Sequence, residues 1–411
     1  MREVSIWCDE IIAFSSLSAI VERYIKRGFE VTIYTPRKNV AIAQQIFYDA
    51  NVISIQSVDR KLYFVAYNIY LLFFVNNNFS GMFARAKLHK FGVWLYNLSR
   101  ILKLFKLNPN SHIRFLNVFK VRKNVFASNR VISLSRISRP YLFNCKDLHH
   151  IAIMESWDHP VKAPWFISPR AALTWNKDLK QDIVNYQKIS SVFYINPIKF
   201  SYIFSSQKYH LGERNEKLVK SHYKGDLEGI SQEGLRKMIV YAMAYSEQNV
   251  DAFRGELEFV KLLAAVCVEH DFLFFVKPKP LSGGNGIKSQ LSGLDGVIVG
   301  SSPIFDQGID LLSKNYNAYR KRLLTNANLV IDCGSTFMID ASLHGCAVVK
   351  LEINAEGFSN SFDATKRNPH LKHLSELSYK FNGGRCELEN LVLNYKNYDI
   401  SKDIKLWLSN Q

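Results

Sequence analysis

The sequence predicts an α/β protein built from two doubly wound domains. With 411 residues, the chain exceeds the roughly 250–300 residues at which a single hydrophobic core stops growing. In both halves, short apolar runs typical of strands buried on two faces alternate with stretches of helical spacing. This alternation predicts parallel sheets covered by helices.

The first half opens with two strand–helix units. Its strands are predicted at residues 4–8, 31–34, 52–55, 131–134 and 151–154, and its helices at 11–26 and 40–48. In open parallel sheets, ligands approach the carboxyl ends of the strands. Asp9 follows the first strand and is therefore a candidate site residue, with helix N-capping as the alternative interpretation.

The second half repeats the alternation. Its strands are predicted at 238–242, 272–276, 297–300, 329–331 and 347–351, and its helices at 256–269, 337–343 and 401–409. Glycines within 281–286 indicate a flexible loop. We expect the final helix to pack back onto the first domain.

Composition indicates a folded protein with a strong basic excess. The hydrophobic content of 47% and charged content of 22% are those of a globular chain. The net charge of +17 suits nucleic acid, an anionic membrane face or anionic substrates, and no nucleic-acid motif supports the first. Six scattered cysteines without a Cys-x-x-Cys pair favour a reduced, cytoplasmic compartment. Charges near Met1 argue against a signal peptide.

A basic amphipathic segment covers residues 61–123. Lysines and arginines alternate there with aromatic and aliphatic side chains. One interpretation is a helix lying on an anionic membrane face. The alternative is a helix of the first domain whose apolar stripe faces the core.

Residues 329–351 predict an anion site. A buried strand leads into a turn of small residues, and a helix follows, so free N–H groups and the positive helix end point to one place. Gly334, Ser335 and Thr336 lie in this turn, where the hydroxyls can cap the helix and donate to a phosphate. Asp340 can accept hydrogen bonds from a ribose. The alternative is an ordinary crossover with a Ser/Thr cap.

Two carboxylates lie just past the strand predicted at 151–154. Glu155 and Asp158 can share a pocket, which drives their pKa values apart and suits acid–base or nucleophile roles. The alternative is an N-cap and a turn closed by Pro160. Asp251, in a loop of the second half, is a further candidate, and an exposed acidic loop is its alternative.

Cationic and polar residues complete the predicted second-domain site. Lys277 and Lys279 follow a buried strand, where ammonium groups can neutralise a diphosphate or a sugar carboxylate. Ser302, after the strand at 297–300, and His370 are further polar candidates.

These motifs resemble those of a known family. Residues 332–341 and 344–349 resemble the nucleotide-binding element of bacterial glycosyltransferases, with Asp340 where the family usually has Glu. Residues 155–162, 172–180 and 192–197 resemble the end of the first domain in surface-polysaccharide and polyol-phosphate transferases. The resemblance implies two Rossmann-like domains facing a cleft, the GT-B architecture. It also implies that Ser302 borders the nucleotide base and makes His370 a candidate for contact with the donor.

The resemblance also implies domain limits. The acceptor-binding domain is expected at 1–200, a linker at 201–236, the nucleotide-sugar-binding domain at 237–395 and a C-terminal helix at 396–411.

The implied function is transfer of a sugar from a nucleotide-activated donor to a growing surface glycan. A CMP-linked ulosonic acid would suit the basic charge, and the acceptor would be lipid-linked or an oligosaccharide at the inner membrane face. Neither an Asp-x-Asp motif nor a Walker A sequence occurs, so we expect no metal and no cofactor. Alternatives are a CDP-polyol phosphotransferase, against which Lys279 in place of His counts, a nucleotide-sugar 2-epimerase, and a non-catalytic membrane-associated nucleotide-binding protein.

Overall fold

A computed structural model divides the chain into two compact units. One comprises Met1–Ser201 with Asn368–His370 and Gln411, and the other Tyr202–Arg367 with Leu371–Asn410. The structure describes residues 2–8, 13–55, 128–134, 149–157, 160, 169–187, 189–200, 226, 228, 230, 237–245, 250–279, 285–291, 293–301, 314–353, 373–374 and 376–410. The amphipathic segment 61–123, and the predicted linker 201–236 apart from three isolated positions, lie outside these residues.

The described strands of the first unit form one parallel sheet. They are β1 (Arg2–Cys8), β2 (Phe29–Pro36), β3 (Asn51–Ile55), β4 (Arg130–Leu134), β5 (His149–Ile153), β6 (Ala171–Thr174) and β7 (Val192–Tyr194). Their order is β3-β2-β1-β4-β5-β6-β7. The chain therefore winds away from β1 on one side and from β4 on the other.

Helices of the first unit follow their strands closely. They are α1 (Phe14–Lys26), α2 (Val40–Ile46) and α3 (Lys177–Asp182), with short 3₁₀ turns at Arg37–Asn39 and Ile198–Phe200 and a π turn at Ile183–Gln187. In α1, Phe14, Leu17 and Val21 are buried at helical spacing. The helix ends where Gly28, at φ +76°, donates its N–H to the Ile25 carbonyl oxygen at 2.9 Å.

The second unit contains a parallel sheet with the same winding. Its described strands are β8 (Met238–Ala242), β9 (Leu273–Lys277), β10 (Val297–Val299), β11 (Ala327–Asp332), β12 (Ala347–Ile353) and β13 (Tyr379–Phe381). Their order is β10-β9-β8-β11-β12-β13. All pairings are parallel, as the continuous apolar runs predict.

The described helices of the second unit are α4 (Val250–Glu269), α5 (Asn285–Leu291), α6 (Lys314–Asn326), α7 (Thr336–Leu343), α8 (Arg385–Leu393) and α9 (Ser401–Ser409). The elements α5, α6, α8 and β13 were not predicted from the sequence. Helix α4 starts at Val250 and not at the predicted residue 256. Asp251 therefore lies in a helix and not in the predicted loop.

The last helix, α9, packs within the second unit. The Ser342 hydroxyl of α7 donates to the Ser401 carbonyl oxygen at 2.6 Å, and Ile400 donates its N–H to the Val348 carbonyl oxygen at 2.9 Å. Ile404 and Trp407 are buried. The expectation that this helix also packs onto the first domain stays a prediction.

The two sheets confirm an α/β chain with two Rossmann-like domains. Each sheet is wholly parallel across the described strands. Described helices connect β1 to β2, β2 to β3, β6 to β7 and each successive pair from β8 to β12. Of the helices that the structure describes, none has both the length and the apolar character to cross a bilayer.

Candidate functional site

The second sheet has a topological switch point between β8 and β11. From β8 the chain proceeds to β9 and β10 on one side, and from β11 to β12 and β13 on the other. Open α/β sheets bind ligands in the crevice beyond the carboxyl ends of the strands at such a point. Residues 243–245 and 333–335 leave the sheet there.

A row of charged residues crosses the sheet at this edge. Ala242 is the Cα partner of both Lys277 and Asp332, and Asp332 is also the partner of Lys350. Partners in one row project from the same face of a sheet. A buried carboxylate therefore has a lysine on either side of it.

Asp332 organises the turn that follows β11. Its Oδ1 accepts the N–H of Gly334 at 2.7 Å and that of Ser335 at 2.5 Å, and its Oδ2 accepts the Ser335 hydroxyl at 2.5 Å. This is the turn that an aspartate forms with the backbone following it. Gly334 has φ +102°, which favours glycine.

The turn differs from the anion site that we predicted. The N–H groups of Gly334 and Ser335 bind the carboxylate of Asp332 within the protein. The sequence pattern assigned these donors to an external phosphate. Burial raises the pKa of Asp332, against the opposing effects of the Ser335 and Gly334 hydrogen bonds and the Lys277 charge.

Ser335 is the N-cap of α7. Its hydroxyl accepts the N–H of Phe337 at 3.1 Å while it donates to Asp332. This confirms the predicted cap. Ser335 is exposed, and Gly334 and Thr336 are half-buried, so solvent reaches the turn despite its internal hydrogen bonds.

Lys277 lies beside the start of α7. Its Nζ is 4.6 Å from the centroid of the Phe337 ring, within the range of a cation–π contact. Burial raises the pKa of Asp332, and the positive charge of Lys277 opposes this rise. The structure thus places Lys277 and the Ser335 turn at the same edge of the sheet, as the sequence predicts.

Lys279 contacts the loop that follows β8. Its Nζ donates to the Ala244 carbonyl oxygen at 2.5 Å and lies 5.9 Å from the centroid of the Tyr245 ring. In this structure the ammonium group therefore binds backbone, and its predicted contact with phosphate stays a prediction.

Glu256 is a site residue that the sequence analysis missed. It lies on α4 and is fully buried, where its Oε1 accepts the Tyr241 hydroxyl at 2.9 Å. Burial raises the pKa of Glu256 to about 7. A signal was present, because Glu256 falls on the apolar stripe of its helix, three residues after Phe253 and four before Val260.

Lys350 is a second buried charged residue that was not predicted from the sequence. It is the one charged residue of the apolar run 347–351, and it is 4% exposed. Its Nζ donates to the Ser378 hydroxyl at 2.8 Å and to the Leu374 carbonyl oxygen at 3.2 Å. Burial lowers the pKa of Lys350 to about 8.

Asp340 lies inside the second unit, away from solvent. Its carboxylate is fully buried and forms an ion pair with Arg320 of α6. His344 Nδ1 lies 3.6 Å from its Oδ1, and burial lowers the pKa of His344 to about 4. Asp340 thus joins α6 to α7, and its contact with a ribose stays a prediction.

In the first unit, Glu155 follows β5 as predicted. Its side chain is buried at 5% exposure, and its Oε1 accepts the Ser16 hydroxyl at 3.0 Å. Ser16 lies in the first turn of α1, where the positive helix end stabilises a carboxylate. The indole N–H of Trp175 donates to the Met154 carbonyl oxygen at 3.2 Å and fixes the strand end beside Glu155.

The structure does not describe the side chains of the remaining predicted site residues. Asp9, Asp158, Ser302 and His370 lie outside the described residues, as does the side chain of Asp251. Their roles stay predictions.

The similarity to known proteins is structural. No family model matches the sequence, and no curated protein matches it. The S. aureus MnaA–UDP complex gives a TM-score of 0.51 at 7% identity, covering 100% of this chain and 93% of that one. A Listeria monocytogenes protein designated a UDP-N-acetylglucosamine 2-epimerase gives 0.50 at 9% identity, covering 100% and 92%. CalG4, the calicheamicin glycosyltransferase, gives 0.49 at 10% identity, covering 100% and 95%.

At these identities the similarity concerns the fold. The matches at 0.50 and 0.51 extend over this whole chain and therefore include both parallel sheets. The chain has the two-domain, Rossmann-like α/β architecture of the GT-B type.

Proposed function

We propose that the protein is a glycosyltransferase that uses a nucleotide-activated sugar, with the second unit binding the donor. The observation that carries this proposal is the pairing of Lys277 with the Ser335-capped helix α7 at the switch point of the second sheet. An ammonium group and a helix N-terminus both stabilise negative charge. A nucleotide that leaves with a charged phosphate needs such stabilisation.

The proposed chemistry assigns Glu155 to the acceptor. As general base it takes the proton of the acceptor hydroxyl, and that oxygen forms the new bond to the anomeric carbon. The bond to the nucleotide breaks, and its electron pair leaves with the phosphate. Ser16 orients the carboxylate through the 3.0 Å hydrogen bond. Lys277 is proposed to neutralise the leaving group without a metal.

The finer assignment rests on charge. We propose a surface glycan as the product and a lipid-linked or oligosaccharide acceptor at the inner membrane face, because the net charge of +17 suits anionic surfaces. A CMP-linked ulosonic acid is the proposed donor, since its carboxylate adds a second anion for Lys277 or Lys279.

A second candidate is a nucleotide-sugar 2-epimerase. The observation that favours it is that one structure with a TM-score of at least 0.50 is designated a UDP-N-acetylglucosamine 2-epimerase, and the other was solved with UDP. An epimerase would need no acceptor, so the two candidates differ in whether a glycan must be present for turnover.

The test is a thermal-shift screen with UDP, GDP, CDP, CMP and ADP on the wild type, on Lys277→Ala and on Ser335→Ala. A ligand of the folded state stabilises by about 2.7 kcal/mol at a hundred times its Kd. We expect one nucleotide to raise the melting temperature of the wild type and to lose most of this effect in both variants. Lys288→Ala, an exposed lysine on α5, is the control.

The outcome identifies the donor class. Stabilisation by CMP supports an ulosonic acid donor, and stabilisation by CDP supports the alternative of a CDP-polyol phosphotransferase. Interconversion of a UDP-sugar without acceptor supports the epimerase, and binding without turnover supports a non-catalytic protein. If no nucleotide shifts the melting temperature, the proposed transferase function is wrong.

A further inference from the structure

The loop after β8 is held by a buried carboxylate. Glu256 Oε1 accepts the N–H of Ala244 at 2.6 Å, and Oε2 accepts the N–H of Tyr245 at 2.8 Å. Both oxygens of a fully buried side chain are thus committed to two successive backbone groups. Hydrogen bonds to a charged acceptor are about twice as strong as neutral ones.

The same loop is held from its other side. Lys279, two residues past the end of β9, donates to the Ala244 carbonyl oxygen. The N–H and the C=O of Ala244 are therefore bound by two side chains, one from α4 and one from the segment after β9. This fixes the peptide planes at the switch point, where the second sheet is expected to bind its ligand.

We propose that Glu256 is a positioning residue, which fixes Ala244 and Tyr245 in the conformation that receives the nucleotide. The proposal rests on the proposed function and adds a residue that does not touch the ligand. It assigns to Glu256 control over affinity through the loop that it binds.

The arrangement makes the loop sensitive to pH. The titratable groups that face the Glu256 carboxylate are Tyr241 on β8, Cys333 after β11 and Lys279 after β9. Burial raises the pKa of both Tyr241 and Cys333, so these two stay neutral near neutrality. Because burial places the pKa of Glu256 at about 7, acidification below that value discharges the carboxylate and weakens both backbone hydrogen bonds.

The test compares Glu256→Gln with Tyr241→Phe. Glutamine has one acceptor oxygen and one NH₂ group, so at least one of the two loop N–H groups faces a donor. Tyr241→Phe removes another hydrogen bond to the same carboxylate and leaves the loop bonds in place. Amide hydrogen exchange over residues 243–245, corrected for intrinsic rates, reports the loop without any ligand. Titration calorimetry with UDP reports affinity.

In the wild type we expect the protection of this segment to be lower at pH 6 than at pH 8. Glu256→Gln should lose the pH dependence, and its protection should fall by roughly tenfold, the loss of one charged hydrogen bond. Its Kd for UDP should rise by a similar factor, whereas Tyr241→Phe should change either quantity less than about twofold.

Two results would overturn the proposal. One is unchanged protection of the loop in Glu256→Gln together with equal wild-type protection at both pH values. The wild-type comparison decides this even if the variant does not fold. The other is a loss of loop protection in Glu256→Gln without a change in its Kd for UDP. If the wild type binds no nucleotide, the proposed function fails, and the exchange experiment still decides whether Glu256 holds the loop.

Discussion

Burial of Glu256 should make the stability of the protein depend on pH between about 4.5 and 7. The ordinary pKa of this carboxyl is 4.5, and burial raises it to about 7 in the folded protein. Between these values the folded chain retains a proton that the unfolded chain has released. Folding stability from this group is therefore fully present below pH 4.5 and is lost as the pH rises to 7.

The magnitude follows from the two pKa values. Their difference corresponds to a loss on the order of 3 kcal/mol in the free energy of unfolding. Glu256→Gln does not titrate, so it lacks this loss, but it places a donor against a loop N–H at a cost of about 1–3 kcal/mol. We therefore expect the wild type to be the more stable protein at pH 5 and to lose that advantage by pH 8.

Urea unfolding at pH 5, 6, 7 and 8 measures this for both proteins. Other titrating groups contribute equally to the two curves, so the difference between them isolates Glu256. Tyr241→Phe should retain the pH dependence of the wild type, because the carboxyl remains buried. Parallel curves for wild type and Glu256→Gln would refute the reasoning, since they would mean that Glu256 has the same pKa in both states.

Three further substitutions test individual contacts. Arg320→Ala removes the guanidinium group that pairs with the buried Asp340 carboxylate, and urea unfolding should show a loss of about 3–5 kcal/mol. Gly300→Ala places a Cβ 2.5 Å from the buried ring of Phe275, and thermal unfolding should show a loss of about 1–3 kcal/mol. Ser16→Ala removes a donor to the carboxylate of the proposed base, so the acidic limb of the pH–rate profile should move to higher pH.

Each of these substitutions has a control. Lys321→Ala removes an exposed charge next to the ion pair and should cost less than about 0.5 kcal/mol. Gly28→Ala adds a Cβ that meets no atom within 4 Å, so its cost of about 1–2 kcal/mol reflects only its positive φ. Ser18→Ala removes a hydroxyl of α1 that bonds within the helix, and should leave the pH profile unchanged. For Arg320→Ala and Ser16→Ala, an effect equal to that of the control would contradict the contact concerned. For Gly300→Ala, the contradicting result is an unchanged melting temperature.

The strands were predictable because parallel sheets require continuous apolar runs. The run at Met238–Ala242 became a strand with the predicted limits, and the last helix, Ser401–Ser409, also has its predicted limits. The Ser335 cap was predictable because the residue type and the following helical spacing coincide. These features depend on neighbours in sequence.

The side-chain partners were not predictable, because a residue pattern does not show whether a polar group bonds within the protein or to a ligand. Asp340 pairs with Arg320, on a helix that the sequence analysis missed because its mean hydropathy is low. Asp332 turns back onto Gly334 and Ser335, so the turn uses its own carboxylate where an external anion was expected. A pattern of residue types assigns faces and ends of elements, whereas the choice between internal and external partners depends on burial.

The attachment of α9 sets the order in which the protein can form during synthesis. Asp399 Oδ1 accepts the Val348 N–H at 2.9 Å, and the following residue returns a hydrogen bond to the Val348 carbonyl oxygen. Strand β12 can thus form these hydrogen bonds only after residues some fifty positions later in the chain have been synthesised. Residues 1–201 leave the ribosome while the second sheet is still incomplete, and domains generally fold as units during synthesis. Nascent chains should therefore acquire any nucleotide-binding capacity only after the segment up to Leu408 has emerged.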